Sequence, residues 1–445
     1  MDKQKIVIIG GGAAGTTCAF ELRKLDKEAE ITIVEKTGNL EYSPCALPYV
    51  LAGEINSFDD IFIFQASDYK NNNINILLDT EVTAINKKAK KISYVSDSKK
   101  GELTYDKLVL ATGSVSKFPS ISGLDKAKPF ALKNLSDAKN ISKNIKSKSK
   151  SVIVGAGLVG LELAVALKNQ GEKVSVVERQ NRPLPAILDK DMSGQLEQYL
   201  TDLGVELFFN TNITKVEEGK LYFQEDYLSF DKLFVCIGIE ANTALAHQAE
   251  LKCEEAIEVN DSLRTSDDNI YACGDCVFSI ELNTNKKVLS QLGTIAVRQG
   301  KVVAHNILGQ KEKAPLVVNN TITKIGELFV GSVGLSLEKA RQENIEVVTA
   351  KYSGEVRSEY YPPSSLITVK LISDKKGKLL GGQILGREEV VGRINLLSLA
   401  IGKGMTLDDL ISNETCYNPA SAPINEPISI VAEIVKKKIK FSLKK

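Results

Sequence analysis

Four consecutive apolar residues, Ile6, Val7, Ile8 and Ile9, make the first element of the chain. A run without alternation is what a strand buried on both faces of a parallel sheet presents. A glycine turn from Gly10 to Gly15 follows, then a helix-period stretch over 14–24 that ends among Arg23, Lys24, Asp26 and Lys27, then a second apolar run over 31–35 that stops on Glu35. Residues 81–85 and 91–95 predict a strand pair, and 108–113 a buried strand that meets Gly113. Residues 136–150, rich in Ser and Lys, predict an amphipathic helix and a connector. The same logic then repeats. Strand 151–154 leads to a glycine turn from Gly155 to Gly160, helix 158–169, strand 174–178 stopping on Glu178, helix 190–203, and an apolar strand over 233–238. A further strand runs into Gly274 and Asp275, and 291–308 reads as helix. From about residue 320 the pattern changes to β-type runs at 321–325, 328–333, 346–350 and 366–372, with helices at 390–402 and 427–439. That is a separate α+β unit.

Each glycine turn has the spacing of a dinucleotide cradle. Gly10 permits the tight turn, Gly12 lets the backbone approach a pyrophosphate, and Gly15 lets helix pack on strand, while the helix N-terminus favours phosphate charge. Glu35 stands where a carboxylate receives ribose hydroxyls. Gly155, Gly157, Gly160 and Glu178 repeat the arrangement. One such turn is weak; two, each between a strand and a helix and each followed by an acid, predict two cofactors and electrons passing between them. Glu178 favours NADH, because a carboxylate repels a 2′-phosphate; Arg179 beside it keeps NADPH open.

Composition narrows the field. The 445 residues carry 25% charged and 43% hydrophobic side chains and a formal net charge of +1, so neither nucleic acid nor membrane is expected as a partner. The one marked basic cluster, Lys436 to Lys440 with Lys444 and Lys445, reads as the solvated end of the last helix. The first strand begins almost at once, with no leader pattern, and no apolar run reaches the roughly 18 residues of a membrane helix, so a cytoplasmic protein is expected. Seven cysteines and two histidines show neither a disulfide framework nor zinc spacing, and no metal is expected.

Cys45, in Tyr42-Ser43-Pro44-Cys45-Ala46-Leu47-Pro48-Tyr49, has no second cysteine four or five residues away. Pro44 precedes a short helical stretch over 46–51, and a thiol at a helix N-terminus is expected to have a depressed pKa. Cys18, Cys236 and Cys253 are expected to be buried and inert. Cys273 and Cys276 straddle the Gly274-Asp275 pair, where a redox role is not expected.

Leu110-Ala111-Thr112-Gly113 and Tyr271-Ala272-Cys273-Gly274-Asp275 match two further signatures of the two-dinucleotide flavoproteins. The whole chain resembles the single-cysteine class of FAD- and NAD-linked pyridine nucleotide-disulfide oxidoreductases. Cys45-Ala46-Leu47-Pro48-Tyr49-Val50 is similar to the active-site segment of the coenzyme A-disulfide reductases, which share the class with NADH oxidases. The resemblance implies two Rossmann-like domains, the second inserted in the first, and a C-terminal α+β dimerisation domain: 1–117 with 246–315 for FAD, 118–245 for NAD(P)H, and 320–445 for dimerisation. It implies FAD contacts at Gly10, Gly12, Ala13, Ala14, Gly15, Glu35, Lys36, Ser43, Pro44, Val82, Ala111, Thr112, Gly113, Gly274, Asp275 and Thr294. Nicotinamide contacts fall at Gly155, Gly157, Leu158, Val159, Gly160, Glu162, Glu178, Arg179 and Gly238. Cys45 becomes the reacting thiol. Tyr360 or Tyr361, with Tyr417, would reach the cysteine of the other subunit in a homodimer.

Some positions depart from the pattern. Ala13 stands where the oxidases and peroxidases carry a histidine, so oxygen or peroxide chemistry is disfavoured. Glu41-Tyr42-Ser43-Pro44 replaces the Ser-Phe-x-Asn of the CoA reductases, and Lys24 replaces an arginine that helps bind CoA phosphates. Glu21 and Glu41 would repel such phosphates. Leu158 replaces a tyrosine gate. The expected activity is NAD(P)H-dependent reduction of a disulfide, polysulfide or persulfide at Cys45, similar to that of the CoA-disulfide reductases, with CoA the leading candidate substrate. An NADH oxidase and an electron-transfer subunit of a larger complex are the alternatives.

Overall fold

A computed structural model describes residues 3–97 and 99–442, so Lys444 and Lys445 lie outside the described residues. The first unit opens with β1 (Lys5–Ile9), α1 (Ala13–Leu25), β2 (Glu30–Val34), α2 (Leu47–Ala52), β3 (Ile74–Leu77) and β4 (Lys107–Leu110). The second contains β5 (Lys150–Val154), α3 (Leu158–Asn169), β6 (Lys173–Val177), β7 (Glu206–Phe208) and β8 (Lys232–Val235). The chain then returns to the first unit with β9 (Ile270–Ala272) and α4 (Gly293–Ile307).

Two parallel sheets result, ordered β9-β4-β1-β2-β3 and β7-β6-β5-β8. The apolar runs account for them: Ile6, Ile8, Leu108, Leu110 and Ile270 have no exposed surface, nor does Ile153 in the second sheet. α4 lies tight against α1, and a Cβ at Gly300 would come 2.4 Å from the carbonyl oxygen of Ala14. The two passages between units run side by side, where 114–116 pairs antiparallel with 239–241. Each unit also carries a three-stranded antiparallel appendage, over 80–104 and 213–229; the sequence pattern predicts two strands of the first and none of the second.

The third unit is an antiparallel sheet of β10 (Thr321–Ile325), β11 (Leu328–Gly334), β12 (Val347–Glu355), β13 (Leu366–Asp374) and β14 (Leu379–Gly386), ordered β10-β11-β14-β13-β12. α5 (Val390–Gly402) and α6 (Pro427–Ser442) belong to the same core, where Val369, Leu371, Ile384, Leu397 and Val431 are fully buried. Lys370 fastens this sheet to the second unit. It is 1% exposed, and its Nζ lies 2.8 Å from Asp189 and 2.6 Å from Asp191. The fold is therefore α/β, with two Rossmann-like units, the second inserted in the first, and a C-terminal α+β domain.

Candidate active site

The two glycine turns are near copies. Gly10 has φ +107° and Gly155 φ +106°, a conformation that favours glycine. A Cβ would strike the Ala111 carbonyl oxygen at 2.2 Å in the first and that of Cys236 at 2.4 Å in the second. Gly15 and Gly160 repeat the pattern, with a Cβ 2.0 and 2.1 Å from the carbonyl oxygens of Gly10 and Gly155. The middle glycines differ in kind: a Cβ at Gly12 meets nothing within 4 Å, and one at Gly157 meets only Cys236 O at 3.9 Å. Each turn therefore leaves an open cradle at a helix start, with backbone N–H groups facing it. Backbone donors hold both acids at the rim. Glu35 accepts from Gly11 N at 2.8 Å and Thr37 N at 2.9 Å; Glu178 accepts from Ala156 N at 2.9 Å and Gln180 N at 2.8 Å. Both cradles fit a dinucleotide.

Neighbouring strands bring the remaining positions to these rims. β9, β4 and β1 are adjacent, so Gly274, Ala111 with Thr112 and Gly113, and Gly10 meet at one sheet end. Ala13 and Ala14 start α1, and Thr294 is exposed in the first turn of α4. Gly274 N donates to Gln299 Oε1 at 2.8 Å, and Thr112 Oγ1 to Asn242 O at 2.7 Å. Asp275 Oδ2 accepts from Ser114 Oγ at 2.7 Å and pairs with Lys133 Nζ at 3.4 Å. Lys36 pairs with Glu81 at 2.8 Å, while Val82 is buried in the strand 80–86. At the second turn Leu158 is half-buried, Val159 and Arg179 are exposed, and Gly238 follows β8 with φ +112°.

Ser43 and Pro44 lead into a short turn, Pro44–Ala46, that carries Cys45 ahead of α2. The expected depression of its pKa does not occur: the thiol is pushed up, first by burial, then by Glu162, with Asp275 adding and Lys133 opposing. Although part of the residue meets solvent, the protein packed around the turn dominates. α2 has six residues and its N-cap is Ala46, so Cys45 lies before the helix rather than at its first N–H groups. Cys18, Cys273 and Cys276 are fully buried and also pushed up; Cys236 and Cys253, expected to be buried, are half-buried, and burial pushes Cys236 up to about 12.

Glu162 of α3 is the second titratable group of the site. Burial raises its carboxyl to about 7, against hydrogen bonds from Thr323 Oγ1 at 2.6 Å and Tyr49 Oη at 3.5 Å. Sequence reasoning singled out neither Thr323 nor Tyr49 for this contact, nor Lys133 and Ser114 for Asp275. Ser114 adjoins Gly113 and Tyr49 lies in the cysteine segment, but only the fold joins Thr323 to Glu162. Tyr360 and Tyr417 share a hydrogen bond of 2.8 Å on the outside of the C-terminal domain, 72% and 48% exposed, and Tyr361 is exposed beside them. In a single chain none of their hydrogen bonds reaches Cys45.

Glu41 is 8% exposed, its Oε2 has no hydrogen-bond partner, and burial raises its carboxyl to about 7. A folded-state pKa above the ordinary 4.5 means that its burden is absent below pH 4.5, grows between pH 4.5 and 7, and is complete above that. Glu41→Gln should therefore gain about 3 kcal/mol relative to the parent between pH 4.5 and pH 8, read from denaturant midpoints of the flavin-loaded proteins. A difference that does not vary with pH would contradict this assignment.

Among the described residues no helix is long and apolar enough to cross a membrane, and no group of three or more acidic, cysteine or histidine side chains is placed to hold a metal. Residues 4–300 match the family model "Pyridine nucleotide-disulphide oxidoreductase" and residues 322–426 its dimerisation domain. A protein of Methanocaldococcus jannaschii named NADH oxidase is 39% identical, over 98% of this chain and 99% of its own. The NAD(P)H sulfur oxidoreductase (CoA-dependent) of Pyrococcus furiosus is 30% identical, over 98% and 100%. The solved NAD-dependent persulfide reductase of A. fulgidus superposes with a TM-score of 0.94 at 33% identity, covering 98% of this chain and 84% of that one. With two dinucleotide cradles in the sheet order above, a cysteine beside them and a dimerisation domain behind, the chain belongs to the pyridine nucleotide-disulphide oxidoreductase family and is an FAD-dependent enzyme of that family.

Proposed function

We propose that this enzyme takes electrons from NADH and delivers them to a sulfur–sulfur bond at Cys45. The observation that carries the reading is the position of Cys45: the charges that act on its thiol come from Asp275 and Lys133 at the first cradle and Glu162 at the second. The first cradle, with Glu35, Asp275 and Thr294, takes FAD, and the unit 1–117 with 246–315 is its domain. The second, in 118–245, takes the nicotinamide nucleotide. FAD, when bound, supplies a two-electron carrier between the nicotinamide and sulfur.

The chain's own part starts with the Cys45 thiolate. Its Sγ attacks one sulfur of R–S–S–R′, forms Cys45–S–S–R and expels R′S⁻. Two electrons then break the new bond and return the Cys45 thiolate and RS⁻. Lys133 is the cation that favours the thiolate in both steps. Glu178, held at the rim by two backbone donors, favours NADH; exposed Arg179 is what would admit NADPH.

The acceptor is a small disulfide, a polysulfide or a persulfide. Lys24 already pairs with Glu21 at 3.1 Å, which weakens the case for CoA phosphates on α1. CoA disulfide still belongs among the acceptors to be compared, given the names of the relatives. Stopped-flow reduction with NADH followed by a screen of polysulfide, CoA disulfide, oxygen and peroxide should give fastest reoxidation with a sulfur acceptor. Fastest reoxidation by oxygen or peroxide would favour an NADH oxidase instead, the reading that the M. jannaschii relative's name supports and Ala13 weakens.

The protein is read as a cytoplasmic homodimer, where seven unpaired cysteines suit a reducing medium. The tyrosines Tyr360, Tyr361 and Tyr417 would approach the cysteine of the second copy. Exposed Leu366, Leu399 and Ile424 supply an apolar surface on the same domain. The 48.5 kDa chain should sediment as a dimer at micromolar concentration; a persistent monomer would remove the composite site.

A further inference from the structure

One carboxylate is gripped from both sides by parts of the chain that lie far apart in sequence. Glu162 is on α3 of the second unit, Tyr49 on α2 behind Cys45, and Thr323 on β10 of the C-terminal sheet. Thr323 is 4% exposed, and its hydroxyl donates to Glu162 Oε1 at 2.6 Å, the length of a charge-assisted O–H···O⁻ bond. The Tyr49 bond, at 3.5 Å, reaches the same oxygen and is weak. Both bonds fall on Oε1, which leaves Oε2 to accept from a ligand.

β-Branching holds the Thr323 hydroxyl in place, since a threonine in a strand has few χ1 choices. The carboxylate it holds is on the helix whose N-terminus makes the second cradle, one turn on from Gly157 and Leu158. We propose that Thr323 is a positioning residue for hydride delivery: the C-terminal domain, through this hydroxyl, holds Glu162 so that Oε2 meets the amide of the nicotinamide ring. The proposal rests on the reading that the second cradle takes the nicotinamide nucleotide. It gives the C-terminal domain a role in the NADH half of the reaction, apart from any part in dimer assembly.

The groups facing Glu162 are Cys45 and Tyr49 on the α2 side and Thr323 on β10; the ion pair of Lys324 with Glu54 lies close by, next to Tyr49. Removing the hydroxyl deletes a contact that favours the ionised carboxylate, so Glu162 should ionise at higher pH.

The test is single-turnover bleaching of the flavin absorbance by NADH in the full-length, FAD-loaded dimer, with no acceptor present. Thr323→Val should slow the limiting rate about tenfold, raise the NADH concentration for half-maximal rate, and move the pH profile upward. Thr323→Ser, which keeps the hydroxyl, should restore the rate and the profile. In a Glu162→Ala background the Thr323→Val effect should vanish, because the side chain that Thr323 holds is gone. FAD content and sedimentation of each variant identify a folding defect; if Thr323→Val fails these, Thr323→Ala against Thr323→Ser carries the comparison. A hydroxyl-free variant that bleaches at the parent rate with an unmoved pH profile overturns the proposal while leaving the functional reading intact. A parent protein that NADH does not bleach overturns both.

Discussion

Cys45→Ser should lose turnover with disulfide and polysulfide acceptors by roughly a thousandfold or more, while remaining yellow and still bleaching with NADH. The serine hydroxyl is un-ionised at neutral pH and cannot form a sulfur–sulfur bond, so both steps assigned to Sγ disappear. Neither cradle uses the thiol: the glycine turns, Glu35 and Glu178 have their own backbone partners. The loss should therefore be confined to the acceptor half of the cycle. In the flavin-free protein, where burial and Glu162 push the thiol up, alkylation of Cys45 should keep accelerating above the ordinary thiol range. Parent-like polysulfide reduction by Cys45→Ser would make the cysteine structural and move the chain to the electron-transfer reading.

Gly12→Val should give a folded, colourless protein, with FAD content down by about a hundredfold. The reasoning depends on which glycine is changed. Gly12 sits at φ −80°, ψ −172°, extended backbone open to any residue, and an added Cβ touches nothing in the chain. The new isopropyl group would take up space where the backbone must let the pyrophosphate approach. Gly10→Val, by contrast, would place a β-branched residue at φ +107° with its Cβ 2.2 Å from Ala111 O, and should damage the fold itself. Gly157 has the backbone of Gly12, at φ −79°, ψ −175°. Gly157→Val should therefore stay yellow yet fail to bleach with NADH. Absorbance of the purified proteins at the flavin maximum, beside circular dichroism, separates these outcomes. A stoichiometrically yellow Gly12→Val would end the assignment of the first cradle.

The parts of the molecule that a sequence displays are those with local causes. α3 runs Leu158–Asn169, as its apolar pattern after Gly157 predicts, and β10 and α5 likewise match, because each is bounded by its own turn residues. β14 was not legible. Glycines interrupt its Leu379-Leu380-Gly381-Gly382-Gln383-Ile384-Leu385-Gly386, and the sequence pattern predicts no element there, yet every residue is buried. Its glycines are there for tertiary reasons: a Cβ at Gly381 would lie 2.0 Å from Leu335 O, and one at Gly382 2.6 Å from Leu397. The Cys45 pKa failed for the same kind of reason. A helix-terminus argument uses only neighbours in sequence, whereas burial sets the sign, and the largest charge that adds to it is Glu162, brought in from another domain. Thr323 gives no signal at all, being one of two threonines on a half-buried strand.

β9 pairs with β4 across the whole inserted unit, Ile270 beside Leu108. During synthesis the first four strands of that sheet leave the ribosome and must wait, one edge open, while the entire second unit is made. The inserted unit, whose four strands are contiguous, can close first. Asp275 and α4 arrive only behind β9, so a nascent chain completes its first cradle late, after its second. A chain truncated just short of residue 270 would thus keep one nucleotide site and expose the Leu108 edge of the other sheet to any strand nearby.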